Sequence, residues 1–158
     1  MPTHCLRSIA VAVEINTLVV IAASFGLGAA MEVSGLADLL ARGIIAGFTP
    51  LGPIGLLLGI TLASIALTEL ITNNAAAVLA FPIAVATAQQ TGADPRPFLI
   101  ALAIAASASF LTPIGYQTNT MVYGMGGYRF GDYARLGTPL TLLVVIGILV
   151  FIPMFWSF

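Results

Sequence analysis

Long apolar runs, broken in a few places by tight clusters of polar residues, make up nearly the whole chain. A hydrocarbon core about 30 Å thick needs about 20 apolar residues at 1.5 Å rise each, so run length sorts these segments. Leu136 to Phe155, LGTPLTLLVVIGILVFIPMF, passes that test, with Pro139 and Pro153 near its ends, where a helix tolerates proline. It predicts a transmembrane helix over 136–156 that closes on an interfacial Trp156. Ile15 to Met31, at 17 residues, is just long enough for a membrane helix over 15–31. Glu32 to Ile45 then alternates Glu32, Asp38 and Arg42 with Val33, Leu36, Leu39, Leu40 and Ile44, the pattern of an interfacial helix or a packed connector.

Two further runs are interrupted. After the turn signal Thr49–Pro53, the run Ile54 to Thr68 holds only 15 residues, and Glu69-Leu-Ile-Thr-Asn-Asn74 separates it from the 14 apolar residues Ala75 to Ala88. Fifteen residues reach roughly 22 Å, too short to cross. Irregular backbone at membrane depth survives only against protein or a wet cavity, so a re-entrant hairpin over 54–88 is predicted, its second arm starting at Asn74–Ala75. Gln89 to Pro97 is a polar linker with Pro97 suited to a first helical turn. Phe98 to Leu111 follows, and then Thr112-Pro-Ile-Gly-Tyr-Gln-Thr-Asn119 stops the helix halfway. The apolar character resumes over Thr120 to Met125, before a glycine-rich loop carrying Arg129, Asp132 and Arg135. The span 98–125 therefore reads as a broken transmembrane helix. The predicted fold class is an all-α integral membrane bundle with one re-entrant hairpin and one broken helix, a single membrane domain over 1–158.

Composition agrees, with 59% hydrophobic and 7% charged residues against roughly 25% charged in a soluble domain. All five basic residues are Arg and the net charge is −1, so nothing here holds nucleic acid. The implied location is the cell membrane, multi-pass, the inner membrane if bacterial. Arg7 before an apolar stretch imitates a signal peptide, but more membrane-like sequence follows. The opening residues read as a shortened reading frame or an atypical start. His4 and Cys5, near that terminus, are given no role. Arg42 and Arg96 fall on one side and Arg7, Arg129 and Arg135 on the other, which by the positive-inside rule makes the latter side cytoplasmic, the hairpin open outward and the C-terminus external.

Half-helix ends at the midplane expose unpaired NH and CO groups able to bind an anion and a cation. Thr72, Asn73 and Asn74 add a hydroxyl and two amides at one break, and Thr112, Gly115, Gln117, Thr118 and Asn119 offer the same chemistry at the other. Polar tips also serve simply as helix caps, but two such breaks in one short chain favour binding. Ser107 and Ser109 read as close-packing residues. Glu69, the sole charge between Gly43 and Ala93, either shapes the hairpin through hydrogen bonds or contributes to cation affinity or a protonation step. With no Lys or Arg in either break, amides, helix ends and co-bound cations must neutralise an anion, which argues for cation coupling. No paired nucleophile and base, no carboxylate pair and no transition-metal spacing points to an enzyme.

ELITNNAAAVLAFPI followed by AASASFLTPIGYQTNTMVYG resembles the C-terminal half of the divalent-anion/sodium symporter family, within the citrate-transporter-like group, from roughly Leu18 onward. That family's Ser-Asn-Thr tip signature maps onto Thr72, Asn73 and Asn74, and a pattern ending Pro-Pro-Asn onto Gln117, Thr118 and Asn119, with only the Asn kept each time. The resemblance implies substrate at Thr72, Asn73, Asn74, Thr118 and Asn119. It implies sodium, a coupling ion and not a cofactor, at Thr72, Asn73, Asn74, Thr112, Gly115 and Asn119. It also implies elevator-like movement in a homodimer built from two inverted repeats. One repeat is present here, so the partners implied are a small anion, sodium, the lipid bilayer and the missing N-terminal repeat. The expected function is sodium-coupled symport of sulfate, a dicarboxylate or citrate by half of a transporter. The rivals are a non-transporting assembly subunit or remnant, and a proton-coupled anion exchanger using Glu69.

Overall fold

The computed structural model describes residues 15–156, with side chains from Leu18 onward; His4, Cys5 and Arg7 lie outside the described residues. All regular structure among them is helical: α1 (Ile15–Val33), α2 (Leu36–Phe48), a 3-10 turn (Thr49–Leu51), α3 (Gly52–Thr68), α4 (Asn73–Thr91), α5 (Pro95–Ala105), α6 (Gln117–Gly126) and α7 (Phe130–Phe155). The described residues are thus all-helical, as a helical membrane bundle requires.

Helix α4 is the hub, packing against α1, α2, α3 and α5, while α7 closes the bundle against α3 and α5. The core where α3, α4, α5 and α7 meet combines large residues (Leu57, Ile60, Ile83, Phe98, Ile148) with alanines at 80, 84, 101 and 105. Small residues let helix backbones approach closely, which supplies the dispersion contacts that hold helices together where lipid removes the hydrophobic drive. Gly59 has that function on α3: a Cβ there would lie 2.7 Å from Ile44 and 2.9 Å from Phe48 of α2. Three hydroxyls inside α3 and α4 satisfy themselves on the preceding turn, Thr61 on the Leu57 carbonyl, Ser64 on Ile60 and Thr87 on Ile83. Helix α4 stops at Gly92, whose φ of 69° is the left-handed cap that glycine adopts without a side-chain penalty.

Several boundaries differ from the sequence reading. Helix α5 ends at Ala105, six residues before Leu111, because the groups from Ala106 onward find tertiary partners in place of the helical ladder. Helix α4 begins at Asn73, with Thr72 as its N-cap, in place of a start at Asn74–Ala75. Helix α7 begins at Phe130 and takes in Asp132 and Arg135. Asp132 accepts from the Arg129 NH at 2.8 Å, so an acid in the first turn starts a helix where its charge suggested a loop.

Two helical stretches among the described residues are long and apolar enough to cross a membrane, Leu36–Thr68 and Phe130–Phe155. The first joins α2 to α3 through the 3-10 turn, so the segment read as an interfacial helix or connector leads directly into α3.

Candidate functional site

Four helix ends meet at the two interruptions: the C-termini of α3 and α5 and the N-termini of α4 and α6. Each end leaves backbone groups without intrahelical partners, and each break supplies what the other lacks. The Ala106 carbonyl, at the end of α5, accepts from the Thr68 hydroxyl at 2.6 Å. The Thr68 carbonyl, at the end of α3, accepts from the Ser109 hydroxyl at 3.4 Å. In the same direction as the Ser109 bond, the NH groups of Leu111 and Thr112 donate to the Glu69 carboxylate at 2.8 and 2.9 Å, and the Thr112 hydroxyl donates to it at 2.7 Å. Glu69, Thr68 and Ser109 are all buried.

Thr112 is the centre of the second break, since its hydroxyl also accepts from the Gly115 NH at 3.1 Å. Gly115 must be glycine here. A Cβ would lie 2.0 Å from the Ser109 Oγ and 2.9 Å from the Glu69 Oε2. Asn119, in the first turn of α6, donates its amide to the carbonyls of Ser109 at 3.0 Å and Thr112 at 3.3 Å, which staples the loop to the helix that follows. Its own carbonyl accepts from the Tyr133 hydroxyl of α7 at 2.9 Å. Asn119 also lines a cavity of about 280 Å³ with Phe110, Tyr128, Asp132 and Gly137.

At the break between α3 and α4 the Thr72 hydroxyl accepts from the Ala75 NH, capping α4. The Asn73 amide lies 2.9 Å from the Thr68 hydroxyl. The Thr68 hydroxyl has one proton, which it presents to two acceptors, the Ala106 carbonyl at 2.6 Å and the Asn73 Oδ1 at 2.9 Å. The Asn73 NH2 makes no hydrogen bond to the described residues. Asn74, Gln117 and Thr118 are exposed and make no side-chain hydrogen bond to the described residues.

The structure therefore joins Asn73, Glu69, Thr112, Gly115 and Asn119 in one hydrogen-bonded network, with Thr72, Asn74 and Thr118 as their sequence neighbours on its open side. Sequence reasoning missed three contributors. Ser109, read as a packing residue, and Thr68 both bridge the breaks. Gly137 lets α7 approach so closely that a Cβ would lie 2.1 Å from the Phe110 carbonyl oxygen. Thr68 stands immediately before the charge that ends its run, and that adjacency was the available signal.

An apolar helical chain in which two helix–break–helix units interlock through their polar ends has the architecture of a membrane transporter. It belongs to the citrate transporter family, whose sequence model matches residues 5–158; this is a family of transporters and not of enzymes. The chain is 45% identical to an uncharacterised transporter of Synechocystis sp. over 85% of its length and 22% of that protein. It is 40% identical to an uncharacterised transporter of Escherichia coli, over 83% of this chain and 20% of that protein. A third relative, sodium/sulfate cotransporter 1 of Chlamydomonas reinhardtii, is 39% identical over 80% of this chain and 14% of that protein. The chain thus spans about a fifth of the length of the first two relatives and less of the third.

Proposed function

We propose that this chain supplies one half of the binding site of a sodium-coupled symporter for a small divalent anion, with sulfate the first candidate ahead of dicarboxylates and citrate. The observation that carries the reading is the interlocked pair of breaks. Two helix N-termini, at Asn73 and Gln117, lie beside amide and hydroxyl side chains with spare capacity, and no basic residue accompanies them. An anion held this way needs a co-bound cation, and the name of the Chlamydomonas relative supplies the pair of ions. In this reading Asn74 and Thr118, with the NH groups of their helix ends, face the anion, and Thr72, Asn73 and Asn119 border both ions. The Asn73 NH2 is a donor suited to the anion, and its Oδ1, which faces Thr68, is a hard oxygen of the kind sodium takes. Thr112 and Gly115 shape the sodium site from behind, since their hydroxyl and NH are already engaged with each other and with Glu69.

The same reading makes residues 54–88 a re-entrant hairpin, pairs this repeat with an N-terminal one and places the complete protein in the cell membrane as a homodimer. The saturated hydrogen bonding of Glu69 favours neither the exchanger nor the assembly subunit by itself, and transport separates them. The test is uptake of labelled sulfate and succinate, with and without a sodium gradient, by vesicles carrying the longest native reading frame. Sodium-driven uptake that Asn73→Ala reduces at least tenfold is expected. Uptake driven by pH and indifferent to sodium would replace this reading with the exchanger; no uptake by folded protein would favour the assembly subunit.

A further inference from the structure

Glu69 is at the C-terminal end of α3, the negative end of that helix's dipole, and it is buried. A carboxylate there is opposed by both its helix and its surroundings. It has no ion-pair partner among the described residues. Its stabilisation comes from three donors, Leu111 NH, Thr112 NH and the Thr112 hydroxyl, all of them more than 40 residues further along the chain. The two backbone donors are NH groups that a continuous α5 would have spent on its own carbonyls; the break releases them and Glu69 takes them up.

Apolar packing already holds these helices side by side, through Leu57 and Ile60 on α3 and Phe98, Ala101 and Leu102 on α5. The carboxylate is therefore not needed to bring α3 and α5 together. What it fixes is the position of their ends. Through Thr112 the tie reaches Gly115 and Asn119, and beside it Thr68 reaches Asn73 and Ala106. Candidate ligands on both breaks are thus within two links of one buried carboxylate.

We propose that Glu69 is a positioning residue that locks the hairpin tip to the α5–α6 break, so that the two half-sites move as one body and occupancy of one is felt at the other. This rests on the symporter reading for its consequences in transport, though not for the lock itself. Glu69→Gln preserves size but exchanges one acceptor oxygen for an NH2, which sets a donor against a donor. Thr112→Val removes only the hydroxyl, whereas Thr112→Ser keeps it.

The experiment uses the full-length protein on a cysteine-free background with spin labels at Leu70→Cys and Ile114→Cys, both positions being exposed and on opposite sides of the lock. Transport kinetics are read in unlabelled protein carrying the same substitutions. A narrow distance distribution is expected in the parent protein and in Thr112→Ser. Glu69→Gln and Thr112→Val are expected to broaden it. In transport, Glu69→Gln should raise the KM for the anion and the half-saturating sodium concentration together, each about tenfold, the scale of one lost hydrogen bond to a charged group. It should also flatten the sodium dependence while leaving the maximal rate per folded molecule within about twofold. A residue that merely supports folding would lower the amount of active protein without moving either constant. If Glu69→Gln does not fold, Thr112→Val carries the same comparison. An unchanged distribution in the folded variant that is read overturns the lock. A broadened distribution in a protein that transports neither anion in any form keeps the lock and removes the symporter reading instead.

Discussion

Gly115 shows how tightly single atoms are constrained at the joined breaks. Added there, a methyl group would meet the Ser109 Oγ at 2.0 Å, the Glu69 Oε2 at 2.9 Å and the Thr112 Oγ1 at 3.2 Å. Ser109 can rotate away only by giving up its bond to the Thr68 carbonyl. Gly115→Ala is expected to destabilise the protein by about 1–3 kcal/mol, the usual cost of overpacking. The loss should shrink when Ser109→Ala removes the nearest atom, because neighbours that share a clash are not additive. Thermal unfolding of the four proteins in detergent checks this, and equal losses in both backgrounds would contradict the geometry. At this scale the sequence was legible where polarity interrupted an apolar run: Thr72, Asn73, Asn74, Thr112, Gly115 and Asn119 stood out for that reason. Thr68 and Ser109 did not. A lone hydroxyl in an apolar helix ordinarily bonds its own preceding turn, as Thr61, Ser64 and Thr87 do; only its place beside Glu69 distinguishes Thr68, and nothing local distinguishes Ser109.

At the scale of elements, the break in the α5–α6 unit needs a wall, and α7 provides it. Gly137 brings the α7 backbone against the Phe110–Leu111 peptide, where a Cβ would lie 2.1 Å from the Phe110 oxygen and 3.0 Å from the Leu111 nitrogen. Leu111 is itself a donor to Glu69, so displacing this peptide disturbs the tie between the breaks. Backbone yields less readily than a side-chain tip. Gly137→Ala should therefore cost at least the about 1–3 kcal/mol of ordinary overpacking, and it should also broaden the distance between the two breaks. Gly147, on the same helix, has nothing within 4 Å of its would-be Cβ. Gly147→Ala should instead gain up to about 1 kcal/mol from helix propensity. Unfolding midpoints of the two variants, moving in opposite directions, are the expected result. Existence and type of the helices were readable from run length, but their ends were not. The end of α5 depends on tertiary acceptors and donors at Thr68 and Glu69, and the start of α7 on a cap by Asp132 that resembled loop polarity.

For the whole molecule, length alone does not divide spanning helices from re-entrant ones. Helix α3 has 17 residues and α4 has 19, about 26 and 28 Å, close to the thickness of a hydrocarbon core. Burial divides the elements more clearly. Nine residues of α3 are buried inside the bundle, whereas only 22% of the most apolar stretch of α7 is covered by this chain. Leu143, Ile146 and Phe151 on α7 are more than half exposed. An apolar face of that size must meet lipid or other protein, so α7 is the element whose own sequence has to carry it into the membrane. Leu143→Arg places a charge at its centre, which costs about 2.5–3.5 kcal/mol on insertion scales. Thr138→Arg, nearer the end, can extend its charge toward the headgroups. A glycosylation-mapping assay of α7 in its native reading frame should therefore show a marked loss of insertion for the first and little change for the second. If both insert like the parent helix, other segments are holding α7 in place. The wall behind the α5–α6 break would then be positioned by those segments and not by the insertion of α7 itself, and Leu143→Arg would leave the distance between the two breaks unchanged.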